Sequence, residues 1–208
     1  MRAQGKNPDG SDNLDYPVLL DVDNLIAYMV ETLRGGNLDA PISNFLGNDQ
    51  PNNYFAIRDR TGREGFRFIQ HDAEHTMRNV KQNRNGPWNA ENFEVGVDYF
   101  NPQWLHQQLM ANENYRVRFA DRAYMHLSDG GALSPERAQQ RIDARAAEFD
   151  LAIIGESARW GDTWRSEPYT KADWERAIDR IRNNYIPRRR EILIDQFLAA
   201  TLNAPGNI

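Results

Sequence analysis

Cysteine is absent from this chain. That absence removes disulfide bonds, thiolate nucleophiles and cysteine-ligated zinc. It leaves the compartment open, because a chain without thiols suits an oxidising or a reducing environment alike. Lysine is scarce: it stands only at Lys6, Lys81 and Lys171, and the remaining basic charge is arginine. Arginine meets carboxylates through a fixed fork of donors and does not act as a titratable base, so most of it is expected in structural ion pairs. No apolar run approaches the roughly 20 residues that a membrane-crossing helix needs. Residues 1–16 are polar and lack the apolar core of a secretory signal peptide. Positive charge is not in excess either. The formal net charge is −5 at pH 7, which gives no electrostatic footprint for nucleic acid.

What remains is a chain of 208 residues, 40% hydrophobic. That is enough to fold and to bury a sizeable core, as one large domain or two small ones. Residues 1–16 are turn formers without periodicity and read as an extended lead-in. Asp21 or Asp23 is expected to cap a helix whose apolar residues Leu25, Ile26, Met29, Val30 and Leu33 follow the 3.6-residue period. Gly35-Gly36 should end it, as glycine does at a left-handed position. Residues 54–58 and 66–69 look like two strands of a hairpin around Thr61-Gly62. Residues 76–100, rich in asparagine and containing Pro87, read as a long loop.

From Asn101 onward the signals are helical. Asn101-Pro102 is a cap with proline in the first turn. A second helix runs from about Glu113 and stops at Gly130-Gly131. Ser134-Pro135 opens a third, expected to carry Ile142, Ala146, Phe149, Ile153 and Ile154 on one face. Thr170 and Asp173 resemble a capping box for a fourth helix that should end before Pro187. A last helix is expected over roughly 188–202. The fold class is therefore α+β and mostly helical: a mixed section over 17–100 and a helical section over 101–208.

The residues that could carry chemistry lie in the mixed section. Asp39 follows a glycine-ended helix and precedes Pro41. It could accept a proton from a substrate hydroxyl, or it could make an Asx turn or cap. Asn52-Asn53, at a strand entrance, could bind a metal through the side-chain carbonyl, or be a turn. Asp72, just past a strand end, stands where metal-binding aspartates of phosphoryl-transfer sites often stand, and Glu74 could add a second oxygen ligand. Such a hard oxygen set suits Mg²⁺ or Mn²⁺. His71 and His75 have the i, i+4 spacing of a helical zinc site but not its H-E-x-x-H motif. Arg159-Trp160-Gly161 reads as a structural clasp, and Arg188-Arg189-Arg190 as a salt-bridging helix start.

The ordered set Leu20-Asp21-Val22-Asp23-Asn24, Asn37-Leu38-Asp39, Asn52-Asn53-Tyr54 and Phe66-Arg67-Phe68-Ile69-Gln70-His71-Asp72-Ala73-Glu74 resembles the CotH family, the kinases named for spore coat protein H. Phe119-Ala120-Asp121-Arg122 and Glu156-Ser157-Ala158-Arg159-Trp160-Gly161 extend the likeness over nearly the whole chain, as in bacterial members. The resemblance implies an atypical protein-kinase-like fold that transfers the γ-phosphoryl of ATP to protein serine or threonine. By motif, Asp39 is similar to the catalytic aspartate and Asp72 to the metal-binding aspartate, with Glu74 as the second metal position. Asn52 or Asn53 would assist with metal or phosphate, and Asn44, five residues after Asp39, is a rival. The implied cofactors are ATP with Mg²⁺ or Mn²⁺, and the implied partner is a protein substrate.

Two departures stand out: no glycine follows Asp72-Ala73-Glu74-His75, and residues 45–51 look inserted. Only Lys6 among the early residues could serve a phosphate-binding strand. The chain is therefore expected to be the larger-lobe portion of such a protein, with an N-terminal lobe on a longer or separate chain and little activity without it. Relatives of this kind are often secreted or at the cell surface. A non-catalytic surface or scaffold module that kept the fold is the alternative reading.

Overall fold

Asp21 starts the first helix by accepting from the Asn24 amide at 3.0 Å, and its second carboxylate oxygen takes Arg67 Nε at 2.8 Å. The helix, α1, runs Val22–Gly35 in the computed structural model, which describes residues 2–86 and 100–202. The expected apolar positions are its buried stripe: Leu25, Ile26, Met29, Val30 and Leu33 are at most 1% exposed. Each such side chain contributes roughly 1.5–3 kcal/mol of transfer free energy. Gly36 ends the helix in the left-handed region at φ 59°, where a side chain would be strained.

Strands β1 (Tyr54–Ile57) and β2 (Arg67–Gln70) form the expected antiparallel hairpin, with Phe55 opposite Ile69 and Ala56 opposite Phe68. The carboxamide of Asn24 fastens it to α1: Oδ1 accepts from Phe68 N at 2.6 Å and Nδ2 donates to Phe68 O at 3.2 Å. Phe68 is buried on that side, near Tyr28 and Tyr54. The lead-in is not extended. Its turn formers fold it back on itself through bridges between Lys6 and Asp12 and between Gln4 and Val18. The expected loop over 76–100 falls partly outside the described residues.

The remaining elements are helical: α2 (Pro102–Leu109), α3 (Glu113–Leu127), α4 (Pro135–Phe149), α5 (Ala152–Trp160), α6 (Lys171–Arg180) and α7 (Ile186–Leu202). Among the described residues the architecture is thus mostly helical with one two-stranded hairpin. Two boundaries differ from the sequence reading. Ile153 and Ile154 belong to α5 and not to α4, because the chain breaks at Asp150-Leu151. Aspartate is a poor helix interior residue, and the Asp150 carboxylate is drawn to Lys171 Nζ at 2.7 Å. Pro187 does not separate two helices. A π-turn over Ile181–Tyr185 joins α6 to α7, with Ile186 N bonded to Ile181 O, and Pro187 follows directly within the continuous helical run.

The chain divides into two compact units. The first comprises Met1–Arg78, Gln82–Tyr124 and Leu193–Ile208 and contains α1, the hairpin and α2. Its ion pairs include Asp23 with both Arg118 and Arg122, the structural use expected of arginine. The second comprises Asn79–Lys81 and Met125–Ile192 and contains α4, α5 and α6. In it Arg159 lies 4.8 Å over the Trp160 ring, and Gly161 is buried where a Cβ would sit 2.5 Å from the Ser157 and Tyr169 carbonyl oxygens. This is the structural clasp. The arginine run is divided in role: Arg188 donates to Asn184, Arg190 pairs with Asp129 at 2.5 Å, and Arg189 is fully buried with NH1 on Val80 O at 2.8 Å. Among the described residues, no helix is long and apolar enough to cross a membrane.

Candidate functional site

Helix α1 delivers the site. Past Gly36, the Asn37 side chain is fully buried and its Oδ1 accepts from Asp39 N at 2.8 Å. The Asx turn therefore belongs to Asn37, which frees the Asp39 carboxylate from any capping task. That carboxylate is half-buried and held at both oxygens. Ser43 Oγ donates to Oδ1, and Asn53 Nδ2 donates to Oδ2 at 2.9 Å. Ser43 is fully buried and also caps the short 3-10 turn Asn44–Leu46.

Residues 45–51 explain how Asn53 arrives. After the 3-10 turn, Ser43 N bonds to Gln50 O at 3.0 Å and Asn52 N to Pro41 O at 3.0 Å. The excursion closes on itself and returns the chain to Asp39. Asn53 then adopts φ 48°, a left-handed conformation that asparagine tolerates. The structure thus brings Asn53 to Asp39. Asn52 contributes its backbone amide to the closure, and Asn44 is exposed, with its side chain toward Asn48 at 3.5 Å.

Beyond β2 the chain turns at Asp72, φ 50°. The Asp72 side chain is exposed and makes no hydrogen bond or ion pair among the described residues. The following segment is laced to the end of α1 by Leu38 N on His75 O at 3.2 Å and Met77 N on Gly35 O at 2.8 Å. This places Glu74 and His75 beside Asp39, with one ligand atom from each of the three within 4.8 Å of the others. His75 Nε2 lies 3.1 Å from Glu74 Oε1, Arg78 NH1 lies 3.0 Å from His75 Nδ1, and the ring packs 4.7 Å from Phe45. Because arginine can only donate, Nδ1 is the acceptor and Nε2–H faces Glu74. The residues 71–75 are not helical, and His71 packs 4.9 Å from the Phe55 ring. The i, i+4 spacing of His71 and His75 therefore does not make a paired zinc site.

Arg84 is a further member of the neighbourhood. Its fully buried side chain donates through NH1 to Asn48 Oδ1 at 2.6 Å and through NH2 to Ile42 O at 2.5 Å. Burial lowers its pKa to about 10, and the negative charge of Asp39 acts in the opposite direction. Arg84 thus puts a buried positive charge behind the loop that carries Asp39. The sequence reading missed both Ser43 and Arg84. Ser43 had a usable signal, since serine two residues after a proline and ahead of Asn44-Phe45 is a cap for a short turn. Arg84 had none, because its partners lie 36 and 42 positions away.

The donor set is chemically coherent. Asp39 and Glu74 offer hard oxygen donors of the kind that fit a magnesium- or manganese-sized cation, and they approach each other together with the His75 ring nitrogen; Asp72 is not among the residues gathered there. A family model described as CotH kinase protein matches residues 6–193. Neither a curated protein nor a solved structure matches the chain.

Proposed function

Because this chain belongs to the CotH kinase protein family, we propose that it takes part in transfer of the γ-phosphoryl of ATP to a serine or threonine hydroxyl of a protein substrate. The described helices and hairpin are read as the larger lobe of a kinase-like fold. The observation that carries this reading is the Asp39 carboxylate, gripped by Ser43 and Asn53 beside Glu74.

Phosphoryl transfer asks little covalent chemistry of a protein; positioning and charge neutralisation are most of the task. Asp39 is the group that accepts the hydroxyl proton. Each carboxylate oxygen has two lone pairs, so the bonds from Ser43 and Asn53 fix the carboxylate without consuming it. Asn53 orients Asp39 through its Nδ2. Asp72, whose carboxylate is uncommitted, and Glu74 would hold the cation. A bound Mg²⁺ or Mn²⁺ would supply neutralisation of the nucleotide's phosphate charge. The Glu74–His75–Arg78 chain keeps Glu74 oriented.

The second reading, a non-catalytic interaction module, is favoured by one observation. The Ser43–Asp39–Asn53 bonds also close the loop that brings Asn53 back, and a purely structural turn would use them in the same way. Calorimetric titration with ATP and Mg²⁺ or Mn²⁺ separates the two. The expected result is a binding heat in the native chain that disappears in Asp72→Ala. Asp39→Asn is expected to retain that heat and to lower transfer to protein serine by about 100-fold or more, the usual weight of a general base. Identical heats in native protein and Asp72→Ala would remove Asp72 from the site.

A further inference from the structure

The hairpin presents a surface that the catalytic reading does not use. Phe68 spends its backbone N–H and C=O on Asn24, so Ala56 and Phe68 face each other as a pair without mutual hydrogen bonds. The Ala56 N–H and C=O therefore point away from β2, to the outer edge of β1, and among the described residues no partner meets them there. By the two-residue period of a strand, Tyr54 presents its backbone to the same edge. The opposite edge is already occupied, by Asn24 and by the Leu20–Phe66 bridge. The sheet is thus closed on one side and open on the other, a state that proteins otherwise blunt or cover.

Beside that edge lies an apolar face. Phe55, Ile57 and Ile69 share the side of the sheet turned away from α1, and they are 56%, 54% and 45% exposed. The turn beyond and the start of β2 carry Arg58, Arg60, Arg63 and Arg67 against Asp59 and Glu64 only. Glu64 pairs with Arg67, which also meets Asp21. The Asp59 carboxylate is taken by the Thr61 amide and hydroxyl. Arg60 and Arg63 have no ion pair among the described residues, and the Arg58 guanidinium lies 5.6 Å over the Phe66 ring. A locally basic tip on a chain of net charge −5 is a directional feature.

We propose that the open edge of β1 docks an extended acidic segment of a partner protein, added as a third strand with its apolar side chains on Phe55, Ile57 and Ile69 and its carboxylates at the arginine tip. Each part of the surface selects part of the occupant. A row of free backbone groups recognises another extended backbone. The apolar face takes alternate side chains, and the tip fixes direction and steers encounter through charge. A lipid surface would use the arginines and the aromatic rings but not the edge, and nucleic acid is disfavoured by the net negative charge. The proposal rests on the hairpin alone and stands whether or not Asp39 is catalytic.

The test uses the full chain and a fluorescent synthetic peptide of about ten residues, alternating valine and threonine, with glutamates at one end. The peptide is expected to bind and to slow amide exchange at Ala56. Its affinity should fall by about tenfold or more when the exposed tip is reversed as Arg60→Glu with Arg63→Glu. Circular dichroism of that variant checks that the fold is kept. Any of four results would overturn the proposal: no binding of the acidic peptide, equal binding of the same peptide with lysines in place of glutamates, preference for phosphatidylserine vesicles, or self-association of the chain through β1 that the peptide does not displace.

Discussion

His106 is a histidine taken out of water by the fold. It lies in α2 with its Nδ1 2.8 Å from the Tyr115 hydroxyl and its ring 4.9 Å from Phe119. Burial pushes its pKa down to about 4, so it is neutral in the folded protein at neutral pH. An unfolded histidine titrates near 6.5. Between those values the unfolded chain binds a proton that the folded chain refuses, and stability must fall as pH drops through that window. The full effect, integrated from above 6.5 to about 4, is on the order of 3 kcal/mol. Urea unfolding at pH 7 and pH 5 should show the loss, and His106→Gln should flatten it even if the variant is less stable throughout. Parallel pH profiles for the two proteins would show that the acid sensitivity comes from other groups. The same residue-scale logic explains what was legible at the site. Asn37-Leu38-Asp39 was readable because a glycine-ended helix, an Asx turn and a proline are all local devices. The cap at Ser43 carried a local signal too, but the charge of Arg84 did not, since a buried polar contact across 42 positions leaves no periodic trace.

At the scale of elements, local physics carried most of the assignments. The cap at Asp21, the stripe of α1, the strand pair and the Asn101-Pro102 start all follow from neighbours within a few residues. Pro187 shows where that logic stops. In a regular α-helix, proline removes one bond and clashes with the carbonyl four residues back, which costs about 3 kcal/mol or more. Here the π-turn Ile181–Tyr185 widens the backbone just before it, and a π-turn amounts to one extra residue in a helix. Deleting the exposed Asn183 should restore α geometry and force Pro187 into that clash, lowering stability by about 3 kcal/mol. The same deletion combined with Pro187→Ala should recover most of the loss. A thermal melt of the two deletion variants decides the point: if both are equally destabilised, the π-turn serves some purpose other than admitting the proline.

At the scale of the molecule, what the sequence could not display was the assembly of distant pieces. The lead-in folds back through bridges that no periodicity announces, and the hairpin is joined to α1 by the Asn24 carboxamide 44 positions away and by the Asp21–Arg67 pair. The division into two units likewise cuts inside α3 and α7, at positions that hydrophobic spacing does not mark. That division gives the phosphoryl-transfer reading its sharpest check. Asp39, Asn53, Asp72, Glu74 and His75 all belong to the first unit, while α5 and α6 belong to the second. A ligand that binds only the folded state stabilises it by mass action, about 2.7 kcal/mol at a hundredfold excess over its dissociation constant. Amides that exchange through local opening slow first where the ligand makes contact. Addition of ATP with Mn²⁺ is therefore expected to slow exchange in residues 36–44, in β1 and β2 and in residues 71–78, and the slowing should vanish with Glu74→Ala. Slowing confined to α5 and α6 would place the nucleotide in the second unit and would detach the Asp39 network from any role in binding it.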